Sequence, residues 1–180
     1  MNFALTMDKE IEVKLRVTDA DALRARIVEI GAVAHGVVTQ TDTLYEAPFI
    51  NFYEKDQVLR LRIEQDGDAT RGVLTFKGSP TFSEQGHKIR DEFETRVDDP
   101  GQMRKILSSL GFIDADVLQK TRERFGWNGT RIELDTLAFG TFLEIEGAPE
   151  MIERARDALG LCDVDAVRES YIELQHESQR

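Results

Sequence analysis

Charged side chains recur at every second position along much of this chain. The clearest runs are Glu10-x-Glu12-x-Lys14, Arg60-x-Arg62, Lys88-x-Arg90-x-Glu92-x-Glu94, Lys120-x-Arg122-x-Arg124, Glu133-x-Asp135 and Glu144-x-Glu146, with Lys77 closing Leu74-Thr75-Phe76-Lys77. A spacing of two puts side chains on one face of an extended strand, with the intervening apolar residues on the other. The chemistry these residue types offer is specific. Clustered carboxylates supply hard oxygens for Mg²⁺ or Mn²⁺, and arginine forks with lysine ammonium groups hold phosphate oxygens. One alternating strand usually means no more than a wet polar face. A whole set is different, because Glu, Asp and Lys are depleted in strands and here they dominate them.

The elements that must position these residues are strands together with fewer helices, an α+β chain. Period-two segments run from Glu10 to Leu15, Thr39 to Tyr45, Arg60 to Ile63, Leu74 to Lys77, Lys88 to Glu94, Arg122 to Phe125, Ile132 to Asp135 and Leu143 to Glu146. They predict about eight mostly antiparallel strands, with turns at Asp66-Gly67-Asp68 and Asn128-Gly129. Four segments have helical spacing. The first opens at Thr18 and runs through Leu23, Ile27 and Ile30 to Gly31. A second opens at Asp99-Pro100 and stops at Gly111. The third spans Pro149 to Leu159-Gly160, and the fourth Asp165 to Gln175, ahead of a frayed tail at 176–180. The order strand, helix, three strands occurs twice, over 1–78 and 88–175, which marks an internal duplication. Glu46 to Gln57 reads as a loop or lid inserted in the first half, and Gly78 to His87 as the connector.

Helices would cover the apolar strand faces. Eight strands closed into a barrel therefore place the charged faces inside. The inward set then comprises the acids Glu10, Glu12, Glu92, Glu94, Glu133, Asp135, Glu144 and Glu146, and the bases Lys14, Arg60, Arg62, Lys77, Lys88, Arg90, Lys120, Arg122 and Arg124. Charges buried in such numbers must pair, stay hydrated or bind a charged ligand. A polyanion cradle beside a divalent-cation site satisfies all three.

Composition narrows the class. A length of 180 residues favours a single domain across 1–180, and 41% hydrophobic with 32% charged residues and 4 Pro describes a folding chain. A net charge of −11 argues against nucleic-acid and anionic-membrane partners. The lone Cys162 cannot form an intramolecular disulfide. MNFALTMDKE has no basic, apolar leader, and no run approaches a membrane span, so the expectation is a cytoplasmic protein. His35, His87 and His176 lack metal-ligand spacing and are expected in loops or the tail.

These runs resemble the CYTH superfamily, the triphosphate tunnel metalloenzymes. Glu10-Ile11-Glu12-Val13-Lys14 is similar to its ExExK signature, and the ordered series through Gln40-Thr41-Asp42, Arg60-x-Arg62, Lys77-Gly78, Lys88 to Glu94, Lys120 to Arg124, Glu133-x-Asp135 and Glu144-x-Glu146 extends the likeness over nearly the whole chain. The class IV adenylate cyclase-like branch is the nearest. The resemblance implies an eight-stranded tunnel with helices outside, and Mg²⁺ or Mn²⁺ on Glu10, Glu12, Glu144 and Glu146, with Asp135 a weaker candidate. It implies triphosphate contacts from Lys14, Arg60, Arg62, Lys77, Arg90, Arg122 and Arg124, with Lys88 and Lys120 as additions. Glu10, Glu12, Lys14, Lys77 and Lys120 would carry the chemistry, while Glu92, Glu94 and Glu133 orient cations. Two reactions share such a site: cyclisation of ATP to cAMP and pyrophosphate, and hydrolysis of tripolyphosphate or thiamine triphosphate. A non-catalytic polyphosphate or nucleotide sensor is the third reading. The partner is a small-molecule triphosphate, and a homodimer is compatible with the family.

Overall fold

Each period-two segment becomes a strand in the computed structural model, which describes residues 9–180. The elements follow in the order β1 (Lys9–Val17), α1 (Ala20–Glu29), β2 (Val33–Glu46), β3 (Val58–Asp66), β4 (Ala69–Lys77), β5 (Thr81–Phe82), β6 (Lys88–Val97), α2 (Pro100–Ser109), β7 (Ile113–Trp127), β8 (Thr130–Leu137), β9 (Gly140–Glu146), α3 (Pro149–Ala158) and α4 (Tyr171–Ser178). All long pairings are antiparallel. The sheet runs β1-β9-β8-β7-β2-β3-β4-β6, and β6 pairs back onto β1 through Glu10 opposite Arg90 and Glu12 opposite Lys88. That last ladder closes an eight-stranded barrel. The two-residue β5, which lies in the connector, adds to β6 beside the end of β4.

The duplication is visible as β1-α1-β2-β3-β4 and β6-α2-β7-β8-β9. Its turns follow the sequence signals: Asn128 and Gly129 both have positive φ, +45° and +82°, as the tight β7–β8 hairpin requires. The helices shield the outer wall. α1 and α3 bury Leu23, Ile27, Ile152 and Ala155 against Val13, Leu134, Leu143 and Ile145, and α2 packs Leu107 on Leu61 and Val97. With most outward apolar residues taken up by helices, the inner face is left to the charged set.

Three expectations shift at their edges. The first helix is capped by Asp19, whose carboxylate accepts from the Ala22 N–H at 2.9 Å, and not by Thr18. The fourth begins six residues later than its apolar spacing suggests, because Ser170 and Glu173 form a reciprocal capping box there. It also runs to Ser178, so most of 176–180 is helix and not a frayed tail. Of the histidines, His87 does sit in the loop between β5 and β6, though buried, while His35 and His176 fall in regular elements. His35 lies in β2, His87 is 2% exposed against Glu153 at 2.7 Å, and His176 in α4 meets Asp116 at 2.8 Å.

Candidate active site

Register gathers the charged residues. Directly opposed residues share a face. The ladders oppose Lys14 with Glu144, Lys77 with Glu92, Asp42 with Arg62, Gln40 with Lys120, and Arg122 with Asp135. Every acid and base assigned to the inner face by parity is on it. All but Asp135 line one continuous cavity of about 850 Å³ running through the barrel.

Half of this lumen is a framework of matched ions. Arg62 forks onto Asp42 at 2.7 and 2.8 Å. Arg122 is held by Asp135, by Glu144 at 2.6 Å and by Glu133. Asp135, fully buried, also accepts from Lys120 at 2.6 Å and from the Tyr171 hydroxyl at 3.0 Å. Arg124 pairs with Glu64, and Lys77 and Arg90 converge on Glu10 at 2.7 and 2.9 Å. Although burial opposes ionisation of Glu10, those two cations hold its carboxyl down to about 2. Asp42 is lowered in the same way against its burial by Arg60 and Arg62.

The other half is less fully matched: Glu92 shares Lys77 with Glu10, at 3.1 Å, and Glu146 pairs with Arg131. Among the described residues, Lys14 and Lys88 have no carboxylate within 4.0 Å, and Arg60, which donates to the Thr75 hydroxyl at 3.1 Å, has only long carboxylate contacts, 3.5 Å to Asp42 and 3.4 Å to Glu94, with its Nε unpartnered. Burial, then repulsion from Arg90, pushes Lys88 down to about 8. The carboxylates show the converse. Burial, then Glu10 and Glu144, raises Glu12, and its nearest cation is Arg90 at 3.7 Å. Burial raises Glu92 to about 7, with Glu10 and Glu94 adding to it against the pull of Lys77. Glu146, opposite Glu12, is also raised, and burial is the largest cause.

Hard-oxygen carboxylates short of positive charge suit a divalent cation. Glu12 is in that condition; Glu144 and Glu146, paired with Arg122 at 2.6 Å and with Arg131, would have to turn from those arginines to join it in holding the ion, with Glu10 beside them. Asp135 is instead saturated by three donors inside the wall. The described residues contain no preformed cluster of three ligating groups, so these glutamates would have to converge on the ion.

The two ends of the tunnel differ. At one, inward positions turn apolar, and Leu118, Leu137 and Phe142 meet Ile172 and Leu174 of α4, which lies across the opening. Tyr171 reaches past them, its ring centroid 4.4 Å from Lys14 Nζ and 4.8 Å from Lys120 Nζ. The segment 46–57 stands at the same end, tied down by the Glu46 carboxylate, which accepts from the Phe52 and Tyr53 N–H groups at 3.0 and 2.8 Å. It is an anchored rim.

Parity alone could have added Asp42 and Glu64, since Gln40-x-Asp42 and Arg60-x-Arg62-x-Glu64 continue the alternation. With them the small positive excess assigned to the lumen disappears. Tyr171 carried no such signal, because it arrives from a helix distant in sequence.

The comparisons agree with this geometry. MJ0240 of Methanocaldococcus jannaschii, named as a candidate adenylate cyclase, is 27% identical over 178 residues, covering 92% of this chain and 98% of that protein. The structure of PH1819 from Pyrococcus horikoshii is similar at 29% identity and a TM-score of 0.81, covering 94% of this chain and 99% of the other. HpAC1 from Hippeastrum, a candidate adenylyl cyclase described as having a dominant triphosphatase activity, shares the fold at 21% identity and a TM-score of 0.69, over 94% and 96% of the two chains. A family model described as the CYTH domain matches residues 8–171, and with a closed ionic tunnel built from those residues the chain belongs to the CYTH domain family.

Proposed function

We propose that this protein is a divalent-metal-dependent enzyme that holds a triphosphate inside its tunnel and cleaves it by phosphoryl or nucleotidyl transfer. The observation that carries the reading is the incomplete matching. Among the described residues, Lys14 and Lys88 have no carboxylate partner and Arg60 only long ones, while burial raises Glu12, Glu92 and Glu146, the latter two against the pull of Lys77 and Arg131. A bound metal-triphosphate would answer both deficits at once.

In this reading the metal, once bound on Glu12, Glu144 and Glu146, neutralises developing charge on the phosphoryl oxygens. The chain supplies the rest. Lys14, Lys88, Arg60 and Arg90 hold phosphate oxygens by charge-assisted hydrogen bonds. Asp42, Asp135 and Glu64 keep Arg62, Lys120, Arg122 and Arg124 in place around it. Positioning of this kind is most of what phosphoryl transfer needs.

Two reactions remain for one site. In hydrolysis, water attacks a terminal phosphorus, the bridging P–O bond breaks with the diphosphate as leaving group, and the attacked phosphorus becomes orthophosphate. In cyclisation, the ribose 3′-hydroxyl of ATP attacks the α-phosphorus and pyrophosphate leaves. All the groups named here address phosphate, which supports hydrolysis of inorganic tripolyphosphate; the name of MJ0240 and a cavity of about 850 Å³, roomier than a triphosphate requires, support the cyclase as the second reading. A panel of ATP, tripolyphosphate and thiamine triphosphate with Mg²⁺ or Mn²⁺ decides, by separating orthophosphate from cAMP plus pyrophosphate. Absence of turnover on every member would overturn the enzyme reading.

A further inference from the structure

Among the described residues, Lys14 is surrounded by acids yet paired with none. Glu144 lies directly opposite it across the β1–β9 ladder, but the Glu144 carboxylate is turned to Arg122 at 2.6 Å. What does meet the Lys14 ammonium is the ring of Tyr171, 4.4 Å away. That ring is fixed from several sides. Its hydroxyl donates to Asp135 at 3.0 Å, Phe142 packs edge-on with centroids 5.3 Å apart, and α4 is locked by the Ser170–Glu173 capping box and by Ile172 and Leu174 in the apolar cluster.

We propose that Tyr171 is a positioning residue for the triphosphate: its ring holds the Lys14 ammonium in place while leaving that group's hydrogen-bond donors free. The inference rests on the triphosphate reading above and deepens it. A lysine held by a carboxylate must be pulled off before it can bind phosphate. Lys77, sitting on Glu10 at 2.7 Å, is in that condition. A π face is different, because it attracts the cation through its quadrupole and accepts no N–H hydrogen bond as strong as a phosphate's. Lys14 is therefore restrained in direction yet open to an incoming anion. Lys120, although 4.8 Å from the same ring, donates to Asp135 at 2.6 Å and so has less freedom. Burial, together with Glu144 and Asp135, holds the Tyr171 hydroxyl well above the usual phenol range, which fits a structural donor and not a base.

The test varies the ring's electrostatics at constant shape. Tyr171→Phe is the reference, followed by mono-, di- and trifluorinated phenylalanine at the same position, with tripolyphosphate and Mg²⁺ binding followed by calorimetry. Each fluorine weakens the negative face, so the dissociation constant should climb steadily, by about tenfold across the series. The thermal midpoints should stay level. In a Lys14→Met background the same series should be flat. A flat series in the parent background, or a slope that survives Lys14→Met, would overturn the role assigned to Tyr171. Failure of the unsubstituted chain to bind tripolyphosphate would overturn the triphosphate reading itself, and the inference with it.

Discussion

Glu12 faces Glu146 across the β1–β9 ladder as a directly opposed pair, in the wall of a tunnel that buries Glu12 and half-buries Glu146. Both carboxyls are raised above their ordinary range, chiefly by burial, with Glu10 and Glu144 adding to it at Glu12 and Glu10 and Glu133 at Glu146. Two residues along β1, Glu10 has the opposite environment, with Lys77 and Arg90 within 3 Å. Neighbouring glutamates of one signature therefore sit in different environments, Glu10 held by two cations and Glu12 with Arg90 no nearer than 3.7 Å.

Glutamine substitutions should separate them. Glu12→Gln removes a buried charge that folding disfavours, so in chelator the protein should melt at the same temperature or higher, while Mn²⁺ affinity falls by an order of magnitude or more. Glu10→Gln should melt lower. The Glu10 pKa falls from 4.5 unfolded to about 2 folded, so its ionisation contributes stability above pH 4.5, on the order of 3 kcal/mol, which is lost as pH drops towards 2. Thermal scans in chelator and a Mn²⁺ titration read both effects. Equal destabilisation by the two variants would refute the division.

Ligand linkage provides a second check. A triphosphate bridging Lys14, Lys88 and Arg60 binds across β1, β3 and β6, so it grips only the closed barrel. With Mg²⁺ and a hundredfold excess over its dissociation constant, tripolyphosphate should stabilise the fold by about 2.7 kcal/mol. Sodium chloride at matched ionic strength should not. If salt reproduces the rise in melting temperature, screening among the acidic surface groups explains it and the cradle does not.

The arginines of the lumen are not equivalent. Arg122 meets three carboxylates, whereas Arg60 has an unpartnered Nε and contacts no shorter than 3.4 Å to any carboxylate. Arg60→Lys keeps charge but loses the planar fork, so triphosphate KM should rise about tenfold with little change in melting temperature. Arg122→Lys should do the reverse, lowering the melting temperature by several degrees, because Glu133, Asp135 and Glu144 lose a shared partner. Steady-state kinetics alongside calorimetry compares the two. The assignment fails if Arg60→Lys destabilises the fold as much as Arg122→Lys.

Strand identity, parity and the duplicated order were legible because a period of two is a local property that every residue in the strand repeats. Barrel closure was not local, and parity could not prove it; parity reached the ionic lumen that closure would create, since helices could cover just one face of so charged a sheet. Pairing within the lumen was out of reach. Arg124 meets Glu64 and Lys77 meets Glu10 across 60 and 67 residues, and which cation ends up matched depends on strand stagger. Asp135 shows the consequence: as a carboxylate on the inner face it read as a metal ligand, but three donors already fill it. Tyr171 illustrates the other limit, since Val167, Tyr171 and Leu174 have ordinary helical spacing and nothing in that spacing says that the helix lies over a tunnel end.

Lys88 supplies a pH signature. Burial, followed by repulsion from Arg90, brings it down to about 8, so it is charged at neutral pH and loses its proton just above. A phosphate bound beside it favours the charged form and raises that value in the complex. Affinity for tripolyphosphate should accordingly be level below pH 8, then fall up to tenfold per pH unit until the complex itself deprotonates. Lys120, also near 8, titrates in the same window, but it is fully committed to Asp135 and remains common to parent and variant. Lys88→Arg keeps its charge to far higher pH, so the ratio of variant to parent affinity cancels both Lys120 and the ionisation of the substrate. That ratio should rise above pH 8. A ratio that stays constant from pH 7 to 10 would place Lys88 outside the binding site.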